Sequence, residues 1–378
     1  MREKMFPMAI ALLLAVLVVV LTGCSSDEKK QGRTVKSSKD MSFMSIGGFS
    51  VNPIAKDWVE VRDGAGRTFV LIPRGEKAPE GYEPEQIVYT PVKRVAAYGA
   101  FDVAILKALG VLEDVLVGVT DKREDWTIPE VVEGMDQGKI VFLGNYNSID
   151  FERLKQCEPE IVLTWDMSII PMVEEMGAAC IITTTPVAMC LNARMHFVNF
   201  IAPFFNREKE AKQYFKRVSD SLDAIRATTR NAKDQPKVMW GDIYEKRVLV
   251  EPGNAWVGEL VGLAQSDYVF KDVFGMSCIE ISLERFLFSG EDAEIFFTYR
   301  TPKSGATSKE ALARANPMIA RLKPLKDGKV YSPLPHYPQS GDRLDEILTD
   351  IAAIIHPSCY PGHVSQFFRE LPDKDPES

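Results

Sequence analysis

The chain has 378 residues, 46% hydrophobic and 26% charged, which is enough apolar material for two globular domains. Its formal net charge of -8 and pI of about 5.3 argue against binding to nucleic acid and against a basic membrane-binding surface.

The N-terminus indicates export. Arg2 and Lys4 precede an uncharged apolar run, Met8 to Leu21, which has the length of a secretory signal core rather than of a spanning helix. The run ends in Leu21-Thr22-Gly23-Cys24, which resembles the bacterial lipobox. Residues 1–23 are therefore predicted to be a lipoprotein signal peptide, and Cys24 the lipidated first residue of the mature protein. An ordinary signal peptide with a chance cysteine is the alternative.

The segment after Cys24 is polar and has no candidate core, so residues 24–57 are predicted to be a flexible tether and linker. No other candidate membrane span follows. The predicted location is extracytoplasmic, with the chain anchored by lipid to a membrane face.

Residues 58–205 are predicted to form an N-terminal α/β lobe. Two β-like runs around Asp63-Gly64-Ala65-Gly66 favour an opening hairpin. Short apolar strands then alternate with helices, which indicates a largely parallel sheet covered on both faces. The strands are expected at Arg94 to Tyr98, Val115 to Val119, Ile140 to Leu143, Ile161 to Trp165 and Cys180 to Thr183, and the main helices at Ala100 to Leu109, Ile149 to Gln156, Ile169 to Met176 and Leu191 to Ile201.

Residues 206–231 are predicted to form one long helix, with Asn206 as its N-cap. Apolar side chains recur at steps of three and four, which places them on one face: Ala211, Tyr214, Phe215, Val218, Leu222 and Ile225. The helix could be one more core helix. We favour a rigid connection between two lobes, because strand–helix alternation flanks it on both sides.

Residues 232–378 repeat the alternation and are predicted to form a C-terminal α/β lobe. Residues 149–154 and 281–286 share an x-Glu-Arg-apolar helix pattern, and each leads to an apolar strand ending in Thr-aromatic. The predicted fold class is α/β, with two Rossmann-like lobes of mainly parallel sheets joined by one long rigid helix. Chance similarity of two short amphipathic helices is the alternative to a true repeat.

Cysteines and histidines do not indicate a bare-metal site. Five cysteines follow Cys24, and none form a C-x-x-C pair, so most are expected to be small buried hydrophobic residues. Of the four histidines none form an i, i+4 pair. His356, before Pro357, is expected to end a helix. We therefore predict no metal site. Because no Ser–His–Asp, H-E-x-x-H or Gly-rich phosphate-loop pattern appears, we also predict no catalytic residues and no cofactor.

Several stretches resemble one family. They are Asp63-Gly64-Ala65-Gly66-Arg67-Thr68, Pro91 to Val95 followed by Ala108-Leu109-Gly110 and Val117 to Val119, Phe151 to Leu154 with Glu158 to Val162, and Leu344 to Pro357. In order and spacing the chain resembles class III substrate-binding proteins of ABC importers, which serve iron–siderophores, haem and cobalamin. Glu160 replaces the usual Asp, and the insertion from Glu76 to Gln86 departs from the pattern.

The resemblance implies a monomer that carries a metal chelate to a membrane permease, without turnover. A ferric siderophore is favoured by family abundance alone, and haem and cobalamin stay open. In the family one acidic residue on each lobe docks onto permease arginines; the matching residues here are Glu152 and Glu284. An extracytoplasmic chelate-handling enzyme or a sensor of the same fold is the alternative function.

Ligand-binding side chains are expected where the C-terminal strand ends of the two lobes meet. The candidates are Tyr98, Asn145, Tyr146, Trp165 and Asp166 in the N-lobe and Tyr244, Trp256, Tyr299 and Arg300 in the C-lobe. Aromatic faces suit a large flat or apolar chelate, and Arg300 could pair with an anionic group on it. Packing between the lobes is the alternative role for each residue.

Overall fold

A computed structural model describes residues 44–185, 190–244, 247–275 and 278–375. The predicted signal peptide, Cys24 and most of the predicted tether lie outside these ranges. Within them, no helix combines the length and the apolar character needed to cross a membrane.

The described chain begins with a sheet in the order β1-β2-β3-β4-β5, in which only β4 and β5 run parallel. Its strands are β1 Met44–Ile46, β2 Phe49–Ala55, β3 Trp58–Arg62, β4 Thr68–Pro73 and β5 Ile87–Thr90. The predicted hairpin is confirmed, since Arg62 pairs with Thr68 across the turn.

The prediction of a linker through residue 57 is wrong from residue 44 onward. Phe49 and Val51 alternate along β2 and are buried. The Phe49 ring lies 5.4 Å from the Phe197 ring and 4.6 Å from the Phe200 ring, centroid to centroid. The segment is ordered because this apolar face packs on a helix far along the chain.

The N-lobe contains a parallel sheet in the order β12-β11-β6-β7-β8. Its strands are β6 Val95–Ala97, β7 Leu116–Val119, β8 Val141–Phe142, β11 Ile161–Thr164 and β12 Ala179–Ile182, with a small antiparallel hairpin of β9 Gly144–Asn145 and β10 Ser148–Ile149. The helices are α1 Ala100–Ala108, α2 Leu112–Val115, α3 Pro129–Asp136, α4 Phe151–Gln156 and α5 Ile170–Glu175.

The turn between β3 and β4 closes the outer edge of this sheet. Gly64 N–H donates to the carbonyl of Ile182 at 2.9 Å, and Ile182 N–H donates to Asp63 Oδ2 at 3.2 Å. Arg67 bonds Asp63, Glu174 and the Cys180 carbonyl. The turn thus satisfies backbone groups that an open edge strand would leave unpaired.

Two helices join the lobes: α6 Leu191–Ile201 and the long α7 Glu208–Thr229. At 1.5 Å per residue, the 22 residues of α7 span about 33 Å. The predicted face is buried, except that Phe215 is only partly so. The prediction that Asn206 is the N-cap is wrong, because Arg207 is the residue directly before the helix. Asn206 instead ends the preceding helical turn with a φ of 57°, in the left-handed region that Asn tolerates.

The C-lobe sheet has the order β16-β14-β13-β17-β18-β19, with β15 also paired to β13. Its strands are β13 Lys237–Tyr244, β14 Arg247–Val250, β15 Asp267–Tyr268, β16 Ile279–Ile281, β17 Ile295–Phe297, β18 Lys329–Pro333 and β19 Phe368–Glu370. The helices are α8 Trp256–Leu263, α9 Leu283–Ser289, α10 Lys309–Ala315, α11 Lys323–Lys326 and α12 Leu344–Ile355.

The predicted α/β fold with two lobes and a long connecting helix is confirmed. The C-lobe sheet is more mixed than expected. β15, β13, β17 and β18 are parallel, whereas β14 pairs antiparallel with both β13 and β16, and β19 pairs antiparallel with β18.

The lobes also touch away from α7. The Gln339 side chain, which follows β18 of the C-lobe, accepts from Thr127 N–H at 2.7 Å and donates to the Asp125 carbonyl at 2.7 Å. Lys303 lies 3.3 Å from the Asp125 carboxylate. These contacts bridge the loop before α3 to the C-lobe.

Candidate ligand-binding site

An aromatic pair follows the strands of the N-lobe. The rings of Tyr146 and Trp165 lie 5.8 Å apart and are 50% and 39% exposed. Asn145 precedes Tyr146 in the β9–β10 hairpin and is also exposed. The structure therefore brings these three predicted residues together and leaves both rings accessible to a ligand.

Tyr98 departs from the prediction that it would face a ligand. It is 2% exposed, and its ring packs edge-on against Trp165 at 6.1 Å. Its hydroxyl is buried and makes no hydrogen bond within the described residues. Burial raises the pKa of Tyr98. Tyr98 thus supports Trp165 from below.

Asp166 also departs from its predicted role. Its carboxylate accepts from Ser168 N–H at 2.9 Å and from the Ser168 hydroxyl at 2.6 Å. It therefore caps the helical turn that follows β11, which explains an aspartate at this position without a ligand.

A buried carboxyl that the sequence analysis did not single out lies beneath the same edge. Asp102 Oδ2 accepts from the Thr183 hydroxyl at 3.1 Å. A Cβ added at Gly99 would come within 2.8 Å of Asp102 Oδ2 and 3.5 Å of the Trp165 ring, so Gly99 allows both side chains to approach. Burial raises the pKa of Asp102 to about 7, against a smaller opposing effect of the Thr183 hydrogen bond. The available sequence signal was a single carboxylate in the otherwise apolar start of α1.

Arg300 is not free to pair with a ligand as predicted. Its Nε lies 3.1 Å from Asp242 Oδ2, and its Nη2 donates to the Ile243 carbonyl. The Asp242 side chain is only 4% exposed and also accepts from the Thr298 hydroxyl. Burial raises the pKa of Asp242, and the Thr298 hydrogen bond and Arg300 charge oppose that shift. The guanidinium therefore serves chiefly to compensate a buried carboxylate.

Tyr299 joins two neighbours in a triangle of polar atoms. Its hydroxyl lies 3.2 Å from Glu251 Oε1, while Cys278 Sγ lies 3.3 Å from Glu251 Oε1 and 3.4 Å from the Tyr299 hydroxyl. Cys278 is exposed, and the other two residues are half-buried. Desolvation and the Glu251 charge raise the pKa of Cys278 to about 11 and that of Tyr299 well above 10, and desolvation also raises the pKa of Glu251.

Arg194, on α6, lies where the two lobes meet. Its guanidinium carbon is 4.1 Å from the centre of the Phe101 ring in the N-lobe and 4.9 Å from the Trp256 ring in the C-lobe. Nε is buried, and the side chain makes no hydrogen bond or ion pair within the described ranges. Burial lowers the pKa of Arg194, which the Glu251 carboxylate partly offsets.

Trp256 therefore has a different place from the predicted one. It is 8% exposed, and its ring contacts Arg194 and Trp240 rather than open solvent. Tyr244 ends β13, and its side chain lies outside the described part of the structure.

Glu152 and Glu284 occupy matching positions in the two lobes. Each is the second residue of a short helix whose N-cap side chain, Asp150 or Ser282, accepts from the backbone N–H three residues on. Both carboxylates are exposed, and neither is paired within the described residues. This placement makes both of them available to a partner.

The described histidine, cysteine and carboxylate side chains do not cluster among themselves. No three or more His, Cys, Asp or Glu residues of the described ranges form a group that could hold a metal ion. His356 directly follows α12 and bonds the Ala264 carbonyl at 2.6 Å, which confirms that it ends the helix. The cysteines of the described chain are free thiols, and of these only Cys157 and Cys180 are buried, fewer than expected.

The chain belongs to the periplasmic binding protein family, which matches residues 95–335. The family and the similar folds are those of class III substrate-binding proteins of ABC importers, so the resemblance seen in the sequence is confirmed.

A lipoprotein of Methanocaldococcus jannaschii is 24% identical over 401 residues, covering 96% of this chain and 95% of that protein. CeuE of Helicobacter pylori, solved as a Ni–His complex, is 18% identical with a TM-score of 0.58, covering 81% of this chain and 90% of that chain. A periplasmic heme-binding protein of Pseudomonas aeruginosa is 16% identical with a TM-score of 0.57, covering 76% and 100%. At these identities the two structures establish the fold alone.

Proposed function

We propose that this chain is an extracytoplasmic solute-binding lipoprotein that captures a metal chelate between its lobes and delivers it to the permease of an ABC importer. The observation that carries the proposal is Arg194, an unpaired guanidinium held between rings of both lobes. Together with the exposed Tyr146–Trp165 pair, it suits a flat or apolar chelate with an anionic group.

The cargo we favour is a ferric siderophore. A similar structure from Staphylococcus epidermidis is described as a possible iron-binding protein, and the Pseudomonas aeruginosa structure as heme-binding. Native mass spectrometry of the protein purified from its own host tests this choice. A co-purified, iron-containing organic mass is expected, and a bound molecule without metal would contradict it.

The protein is proposed to release its cargo unchanged. After incubation with a ferric chelate, the recovered ligand should have its original mass and metal content. A product of altered mass would favour the alternative, an extracytoplasmic chelate-handling enzyme.

Delivery is proposed to depend on Glu152 and Glu284, because exposed charges on both lobes can orient a docking partner. The double substitution Glu152→Ala/Glu284→Ala should reduce cellular uptake while leaving chelate affinity unchanged. The exposed Glu113 and Glu291, changed in the same way, provide the control. Normal uptake by the first variant would contradict docking through these residues and would favour a sensor.

Anchoring is proposed to occur through Cys24, and the folded protein is proposed to be a monomer. Cys24→Ala should move the protein from the membrane fraction to the soluble extracytoplasmic fraction. Unchanged membrane retention would contradict the lipid anchor.

A further inference from the structure

The Glu251–Cys278–Tyr299 triangle has the composition of a metal-coordination site. Its three atoms are a carboxylate oxygen, a thiol sulfur and a phenol oxygen, and each of these groups binds metals in its anionic form. The absence of metal-binding groups stated above concerns sets of at least three His, Cys, Asp or Glu residues in the described ranges. This triangle is not such a set, because its third member is a tyrosine.

The spacing also fits a single metal ion. Around a tetrahedral ion with a metal–sulfur distance of about 2.3 Å and metal–oxygen distances of about 2.1 Å, sulfur and oxygen ligands lie about 3.6 Å apart and two oxygens about 3.4 Å apart. The observed edges are 3.3 and 3.4 Å for sulfur to oxygen and 3.2 Å for oxygen to oxygen. Shifts of about 0.1–0.3 Å would complete one face of a tetrahedron.

Access and charge agree with this geometry. Cys278 is exposed, and Glu251 and Tyr299 are half-buried, so the face is open on one side. Three anionic ligands and a divalent ion leave one net negative charge, and the unpaired Arg194 lies close enough to Glu251 to interact with it electrostatically. The fourth coordination position would be open, as it is in metal sites that bind exogenous ligands.

We propose that Glu251, Cys278 and Tyr299 coordinate a thiophilic transition-metal ion directly. The inference deepens the proposed function and rests on it: the cargo would be a metal whose coordination sphere keeps exchangeable positions, either as the free ion or as an open chelate. Binding displaces one proton from the Cys278 thiol and one from the Tyr299 phenol, and forms one metal–sulfur and two metal–oxygen bonds.

Cobalt(II) spectroscopy under anaerobic, reducing conditions tests the site in the full-length chain. Co²⁺ should give a thiolate-to-cobalt charge-transfer band and the intense visible absorption of a tetrahedral complex. Loss of an outer hydrogen bond to a metal ligand commonly costs about 10–100-fold in affinity. Because Cys278→Ser and Tyr299→Phe each change a direct ligand, each should weaken Co²⁺ binding at least about tenfold. Cys278→Ser should also abolish the charge-transfer band.

Cys359→Ser is the matched control, because Cys359 is a free, half-buried thiol that takes no part in the triangle. It should leave the spectrum and the affinity unchanged, and thermal unfolding should show that all three variants are folded. A folded Cys278→Ser variant with the wild-type cobalt spectrum would overturn the inference, as would wild-type protein that gives no thiolate band.

Two further probes distinguish the sources of the metal. Cobalt–iminodiacetate keeps three open positions, which the three protein atoms would fill in a six-coordinate rather than a tetrahedral complex, and cobalt–EDTA keeps none. A ternary mass with iminodiacetate supports an open chelate, and stripping of the ion from iminodiacetate supports free-ion binding. If the purified host cargo binds wild type and Cys278→Ser/Tyr299→Phe equally well, direct coordination is wrong while the transport proposal stands.

Discussion

Arg194 is a charged side chain that contacts rings from both lobes and makes no hydrogen bond or ion pair among the described residues, although the Glu251 carboxylate interacts with it electrostatically. Arg194→Gln should weaken binding of an anionic ferric chelate by about ten- to a hundredfold, since a hydrogen bond to a charged group contributes about 1.5–3 kcal/mol. The affinity of Arg194→Lys for the chelate should lie between those of the wild type and Arg194→Gln, because lysine keeps the charge and loses the planar stacking. Quenching of tryptophan fluorescence measures the affinity.

The same substitution should not lower the stability of the ligand-free protein. A half-buried guanidinium without a partner is desolvated at a cost that glutamine reduces. Equal or higher thermal stability together with weaker binding is the expected pattern. Unchanged chelate affinity in Arg194→Gln would contradict its role in the site.

Asp102 predicts a specific pH dependence. Its pKa in the folded protein is about 7, above the ordinary value of 3.8, so between these values the folded state holds a proton that the unfolded state has lost. Stability from this group is therefore fully present at low pH and falls as pH rises, by about 1.4 kcal/mol per pH unit in that window. The substitution Asp102→Asn should remove this loss of stability with rising pH.

The measurement is the difference in free energy of unfolding between wild type and Asp102→Asn, from denaturant titrations across that pH range. Contributions of other titrating groups cancel in this difference. As the pH rises to about neutral, the free energy of unfolding of Asp102→Asn should increase relative to that of the wild type. A difference independent of pH would show that Asp102 is ionised throughout.

Gly64 allows the turn between β3 and β4 to pack closely against the end of β12, and a substitution there tests this contact. A Cβ added there would lie 1.8 Å from the Thr184 carbonyl oxygen, so Gly64→Ala must displace the turn from the edge of β12. We expect a loss of about 1–3 kcal/mol in the free energy of unfolding. Gly262→Ala is the control, because apart from its chain neighbours and the backbone of its own helix no atom lies within 4 Å of its added Cβ, and α8 should gain up to about 1 kcal/mol.

Elements with a local pattern were predictable, and those defined by distant partners were not. The buried face of α7 follows from its spacing alone. In contrast, Gly47 and Gly48 separate β1 from β2, and Pro53 lies within β2, so the local sequence indicates turns. The order of these two strands depends on rings about 150 residues away. It was predictable that aromatic and polar side chains such as Tyr146 and Trp165 would follow the strands, while their role in binding stays a prediction. The burial of Tyr98 and the pairing of Arg300 with Asp242 were not predictable, because both depend on contacts between segments that are remote in the sequence.

For the whole molecule, α7 and the Gln339 contacts predict limited motion between the lobes. Small-angle scattering should change little when a ferric chelate is added to wild type. Gln339→Ala removes hydrogen bonds to Thr127 and Asp125, worth about 1–3 kcal/mol together, and should enlarge the ligand-dependent change. A large domain closure already present in wild type would contradict the stiff connection.

The turn that closes the edge of β12 is made by residues 63–67, more than a hundred positions before that strand. During synthesis or export, which proceed from the N-terminus, the residues that cover this edge are already in the chain when β12 emerges. Once the helix α6 has followed β12 and packs on β2, the turn can cover the edge of β12 from within the same chain, which limits pairing of β12 with neighbouring copies.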